Sequence, residues 1–158
     1  MNTPFVSSSF EVPASLEADK FKLRMLTVND VVKDFDAVMS SAAQLKGLFG
    51  GASPWPDGLT IEQNLIDLGW HQKEFQKRSS FAYTVMAPDE SRCLGCVYIY
   101  PSSSSVFDAE VRLWARSSDY AGGLECELFQ AVKQWIETEW PFSSVAFPGR
   151  DEMSGKRN

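Results

Sequence analysis

The stretch DAEVRLWARSSDYAGGLECELFQAVKQWIETEWPFSSVAF, residues 108–147, decides the fold. Its first nine residues alternate as a strand does. Glu110, Arg112, Trp114 and Arg116 take one face, and Val111, Leu113 and Ala115 the other. Beyond a turn at 118–123, Leu124, Leu128, Val132, Trp135 and Ile136 recur at helical spacing and mark an amphipathic helix. Pro141 ends that helix, and residues 144–147 read as a second strand. A helix start preceded by glycines leaves backbone N–H groups pointing outward, a natural site for an anion such as a phosphate-bearing cofactor. Glu125 and Glu127 stand in the first turn of the helix. The helix macrodipole favours acids there, whereas a phosphate calls for positive surroundings.

Working outward, residues 21–26 alternate and predict a first strand. Thr27-Val28-Asn29-Asp30 supplies an N-cap with an acid three positions later. Val28, Val31, Val32, Phe35, Val38, Met39 and Ala42 then predict a helix that stops near Gly47. Residues 47–58 form a glycine- and proline-bearing loop around Phe49 and Trp55, aromatics that either line a substrate mouth or cover the core. Thr60 opens another helix, through Leu65, Leu68 and Phe75 to about Lys77. Residues 81–87 and 93–101 alternate as two strands of a hairpin turning at 88–91. The order is strand, helix, helix, three strands, helix, strand. One domain over 21–150 is expected, with a Ser- and Pro-rich arm at 1–20 and a charged tail at 151–158.

The totals fit one soluble domain: 158 residues, 44% hydrophobic and 23% charged. Five Trp within a 13% aromatic share point to aromatic packing at a groove or interface. A net charge of -6 argues against nucleic acid and against an anionic membrane surface as partners. No apolar run is long enough to span a bilayer, and residues 1–20 lack a signal-peptide pattern, so the expected location is cytoplasmic. Three cysteines read as reduced thiols. His71 is the only histidine, so no multi-histidine metal site or histidine-centred triad is expected, and no metal. Histidine has a pKa that suits a base, but His71 reads rather as a helix-surface or packed residue. Cys93 and Cys96, three apart in a strand, are expected to face opposite ways, and Cys126 to pack. Tyr98 and Tyr100 share a strand face with Cys96 and either reach a groove or fill the core.

The element order over 21–147 resembles the first part of the Gcn5-related N-acetyltransferase (GNAT) superfamily. Leu68-Gly-Trp-His-Gln-Lys-Glu-Phe75, Leu94-Gly-Cys-Val-Tyr-Ile99 and Trp140-Pro-Phe142 with Pro148-Gly-Arg150 are similar to bacterial acetyltransferase-like proteins with a short C-terminus. The resemblance implies an α/β (α+β) domain, a mixed, mainly antiparallel sheet flanked by helices and truncated after the family's fifth strand. It implies acetyl-CoA as cosubstrate, lying where the family's fourth and fifth strands, here 110–116 and 144–147, splay apart. Backbone N–H groups at Trp114, Ala115 and Arg116 would meet the pantetheine and the thioester oxygen. Tyr120, Ala121, Gly122, Gly123 and Leu124 would cradle the pyrophosphate. Glu110 is the implied base for the acceptor amine; the rival reading is a surface pair with Arg112.

Two departures stand out. The family's loop pattern of Arg or Gln, two residues, Gly, one residue, then Gly or Ala falls on Tyr120, Gly123 and Glu125, so only its central glycine is kept. The family's following helix, with a tyrosine that protonates the leaving thiolate, is expected to have no counterpart. Three expectations follow: an N-acetyltransferase acting on a small-molecule or protein amine, a non-catalytic ligand-binding member, or an interaction protein. In the third the open sheet edge would be completed by a homodimer partner or covered by the N-terminal arm.

Overall fold

The computed structural model describes residues 3–116 and 123–150. Six strands form one sheet in chain order: β1 (Ser15–Glu17), β2 (Lys22–Met25), β3 (Phe81–Met86), β4 (Cys93–Pro101), β5 (Ala109–Ala115) and β6 (Val145–Ala146). Every neighbouring pair is antiparallel except β5 and β6, which are parallel. A mixed, mainly antiparallel sheet flanked by helices is thus present. The helices are α1 (Val31–Ser40), α2 (Ala42–Leu45), α3 (Ile61–Gln76) and α4 (Leu124–Glu139).

The alternation along β5 sorts the core into two. Val111, Leu113 and Ala115 join Leu128, Val132, Trp135 and Ile136 of α4 on one face of the sheet. Trp114, with Cys96 and Tyr98 of β4, joins Val38 of α1, Leu45 of α2 and Leu68 of α3 on the other. With both faces covered, even the face carrying Glu110 and Arg112 holds a fully buried Trp114.

Thr27 caps the entry to α1 through a short 3₁₀ turn: its hydroxyl accepts from Asn29 N–H, while Asp30 accepts from Thr27 N–H. Arg24 on β2 donates to both oxygens of Asp30 and so ties this cap to the sheet. Thr60 caps α3 by accepting from Gln63 N–H. Both helices differ in phase from the expected stripes. On α1, Val32 is 67% exposed and Met39 38%, while Asp34 is only 4% exposed. On α3, Leu65 faces outward and Asn64 is buried. The two buried polar residues meet between the helices, Asn64 Nδ2 donating to Asp34 Oδ2 at 2.9 Å.

The cysteine pair also differs from expectation. Between Val85 and Met86 the β3–β4 register slips, so Met86 faces Cys93 and Leu94 is passed over as a bulge. The extra residue returns Cys93 to the face occupied by Cys96. Both are buried, and burial pushes the Cys93 thiol up to about 12, which leaves it an unreactive packing residue.

Among the described residues before Phe21, Phe5, Val6, Phe10, Val12 and Leu16 pack on the core. β1 covers the β2 edge, Val6 is buried, and Phe5 stacks on Phe142 and Phe81. Tyr83 donates to Pro13 O, and Arg78 to Ser7 O and Phe10 O. The edge thus covered is the one opposite β6.

Candidate functional site

β5 and β6 pair only at Ala109 with Val145 and at Glu110 with Ala146. From Val111 to Ala115, β5 runs on with no strand on that side among the described residues, while β4 stays paired along its other edge. The two parallel strands therefore open into a cleft. Arg116 N–H donates to Leu94 O, so alternation turns the N–H groups of Trp114 and Arg116 toward β4 and that of Ala115 toward the cleft. Of the three N–H groups expected to meet a ligand, at Trp114, Ala115 and Arg116, only that of Ala115 is therefore turned away from β4. The Arg116 side chain fastens the end of β5 to Cys93 O, Ser40 Oγ and Asp36 Oδ2.

The cleft edge is engaged by two side chains. Glu125 Oε1 accepts from Ala115 N–H at 3.2 Å and from Gln44 at 3.4 Å. Arg150 Nη2 donates to Leu113 O at 3.1 Å and to Glu125 Oε2 at 3.0 Å, with its guanidinium over the Phe129 ring. Glu125 comes from the first turn of α4, which Gly123 enters with φ +81. Leu124 is buried against the core. Tyr120, Ala121 and Gly122 lie outside the described residues.

Across the sheet, on the α1–α3 side, a cavity of about 290 Å³ is walled by Phe49, Trp55, Tyr98 and Tyr100. The loop aromatics expected either at a mouth or over the core do line an opening: Phe49 packs edge-on against Trp55, Tyr98 and Tyr100. Tyr98 stands directly across β4–β5 from Arg112, and Tyr100 from Glu110. Glu110 Oε2 accepts from Arg112 Nε at 3.0 Å and Nη2 at 2.9 Å, and Arg112 Nη1 donates to Leu48 O. The pair is thus formed, one strand away from the cavity wall.

Asp34, Asp67 and His71 also line the cavity, and none of the three was singled out for it by the sequence. Burial raises the Asp34 carboxyl to about 6, with Asp30 and Asp67 adding to the rise and the Asn64 hydrogen bond opposing it. Burial lowers His71 to about 4, and its Nδ1 has no partner among the described residues. A carboxyl raised on folding favours the folded state while it is protonated. That contribution is complete below its ordinary 3.8 and is lost as pH rises through about 6. His71 has the opposite sign: its contribution is complete above 6.5 and is lost as pH falls through about 4. Asp34→Asn should therefore be more stable than the parent at pH 7, by roughly 2–3 kcal/mol, and should lose that advantage by pH 4. Urea denaturation at the two pH values checks it.

No family model matches the chain, and no curated protein matches it. Solved structures do. A protein from Bordetella pertussis described as a GnaT-family acetyltransferase superposes with a TM-score of 0.65 at 17% identity, over 92% of this chain and 84% of that one. The ribosomal-protein-S5-alanine acetyltransferase of Vibrio fischeri gives 0.62 at 16%, over 78% and 67%. The chain has the GNAT fold. RimL, a ribosomal L7/L12 α-N-protein acetyltransferase solved with coenzyme A, gives 0.59 at 16%, over 78% and 66%, so the chain spans about two thirds of the length of these last two. Strands β5 and β6 stand where strands at 110–116 and 144–147 were expected, and they are parallel.

Proposed function

We propose that the chain is an N-acetyltransferase that transfers the acetyl group of acetyl-CoA to an amine, either a small molecule or a protein amine. The observation that carries this reading is the cleft between β5 and β6, with Glu110 at its closed end and an aromatic cavity beside Glu110 on the same face of the sheet. Its structural neighbours among ribosomal-protein acetyltransferases, one of them solved with coenzyme A, support it.

The residues fit such a cosubstrate in part. Ala115 N–H and Leu113 O face the cleft as a strand edge that a pantetheine amide chain can pair with, once Glu125 and Arg150 release them. Gly123 and Leu124 open α4, where backbone N–H groups suit a pyrophosphate, together with Tyr120, Ala121 and Gly122. Acetyl-CoA supplies an acetyl group activated as a thioester. Glu110, oriented by Arg112, removes the proton of the attacking amine.

Glu125 works against the anion. Two like charges at contact repel by about 1 kcal/mol in water-like surroundings. Glu125→Ala removes that repulsion, frees Ala115 N–H and releases Arg150 as a cation beside the cleft. Affinity for acetyl-CoA should rise about tenfold, equivalent to 1.4 kcal/mol. Calorimetric titration of the two proteins checks it, and equal affinities would count against a diphosphate at this helix start. Turnover is tested by following thiol release from acetyl-CoA in the presence of an amine panel.

A second reading keeps the fold without catalysis, as a ligand-binding or protein-interaction module that pairs with itself through its apolar exposures. Val32, Leu65, Ile66 and Trp70 are all more than two fifths exposed on α1 and α3, and the Glu125–Arg150 pair already holds the strand edge. Binding of acetyl-CoA without turnover on any amine would favour it. The mass of the protein in solution tests the homodimer.

A further inference from the structure

The cavity beside β4 holds buried acid with no base to match. Asp34 enters it from α1 and Asp67 from α3, and among the described residues neither stands in a salt bridge. The charged groups acting on Asp34 from the packed elements, Asp30 and Asp67, are acids too. Nearby bases are committed elsewhere: Arg24 to Asp30 and Glu90, Arg116 to Asp36, and Lys33 to Glu90 O. His71, held neutral by burial, brings no charge at pH 7.

A buried carboxylate held by one neutral hydrogen bond, as Asp34 is by Asn64, is costly for a fold to carry, and a cation that pairs with it relieves that cost. The walls here suit a cation. Aromatic rings attract positive charge, and four of them, Phe49, Trp55, Tyr98 and Tyr100, line this one opening. The same rings, with Leu26 and Leu68, give the cavity an apolar wall on which the body of a ligand can lie.

We propose that this cavity binds a small organic ammonium ion with an apolar body, its charged nitrogen paired with Asp34 and its body among the four aromatic rings. The site rests on the cavity alone and stands whether or not the protein binds acetyl-CoA. If acetyl transfer also occurs, the site places an amine one strand from Glu110.

The test compares 2-phenylethylamine, a cation at pH 7.5, with 2-phenylethanol, its neutral counterpart of similar shape. Calorimetric titration of the full chain without any CoA should show the amine bound at least tenfold more tightly. Asp34→Asn should bring the two ligands to equal affinity, and because that variant is expected to gain stability, the loss cannot be ascribed to unfolding. Trp55→Ala should weaken both. Equal binding of amine and alcohol by the parent protein, binding of neither, or an amine preference that survives Asp34→Asn would each overturn the proposal.

Discussion

Glu110→Gln is expected to lower the rate of acetyl transfer at least a hundredfold while leaving affinity for acetyl-CoA unchanged. Proton removal by a positioned side chain contributes roughly 10²–10⁴ in rate, and glutamine cannot supply it. The substitution is conservative for structure. The amide oxygen of the introduced glutamine can still accept from Arg112, so the Arg112 donation to Leu48 O and the fit to Tyr100 across the strands stay in place. A structural role alone would change affinity or stability, whereas a catalytic one lowers kcat and leaves affinity and stability in place. Steady-state kinetics, beside a titration with acetyl-CoA and urea denaturation, separate the two, and an unchanged rate would remove Glu110 from the mechanism.

Gly95→Ala should produce the largest loss of stability of any single methyl addition in the sheet. A Cβ at Gly95 would lie 2.0 Å from Trp114 O and 3.1 Å from Ala115 Cα. These are backbone atoms of the neighbouring strand, which no side-chain rotation can move aside. Overpacking typically costs about 1–3 kcal/mol, and a clash with backbone belongs at or above the top of that range. A cost of roughly 3 kcal/mol corresponds to a fall in Tm of about 10 °C for a chain of this size. The consequence reaches the cleft, because the same close approach carries the Arg116 N–H to Leu94 O bond and sets Ala115 facing outward. Acetyl-CoA affinity should fall with stability. Thermal and urea denaturation of the variant provide the check, and a change under 1 kcal/mol would contradict the strand spacing.

Period and punctuation made most of the framework legible. Alternation along residues 108–116 assigned the two faces of β5, and the capping signals at Thr27 and Thr60 located two helix starts. Pro141 ended α4 where expected, with Trp140 as its C-cap. What escaped was decided by contacts between distant residues. Apolar periodicity put Val32, Met39 and Leu65 inward with Val38 and Leu68, whereas Asp34 and Asn64, bonded to each other, are buried in their place. An acid in phase with Ala37, Val38 and Leu45 was the available signal, and it runs against any rule that buries only apolar side chains. The bulge at Leu94, which brings Cys93 and Cys96 to one face, left no mark in the local pattern either. Glu125 was readable as a helix-start acid, but its hold on Ala115 N–H depends on where β5 ends relative to α4.

The central claim is that the cleft between β5 and β6 receives an acyl-CoA. It is tested most directly by calorimetric titration of the purified chain with acetyl-CoA, with CoA as control and Glu125→Ala in parallel. Saturable micromolar binding that tightens in the variant is the expected result. Absence of binding to both proteins at millimolar ligand would contradict it, and would mean that this GNAT fold serves a purpose other than acyl transfer.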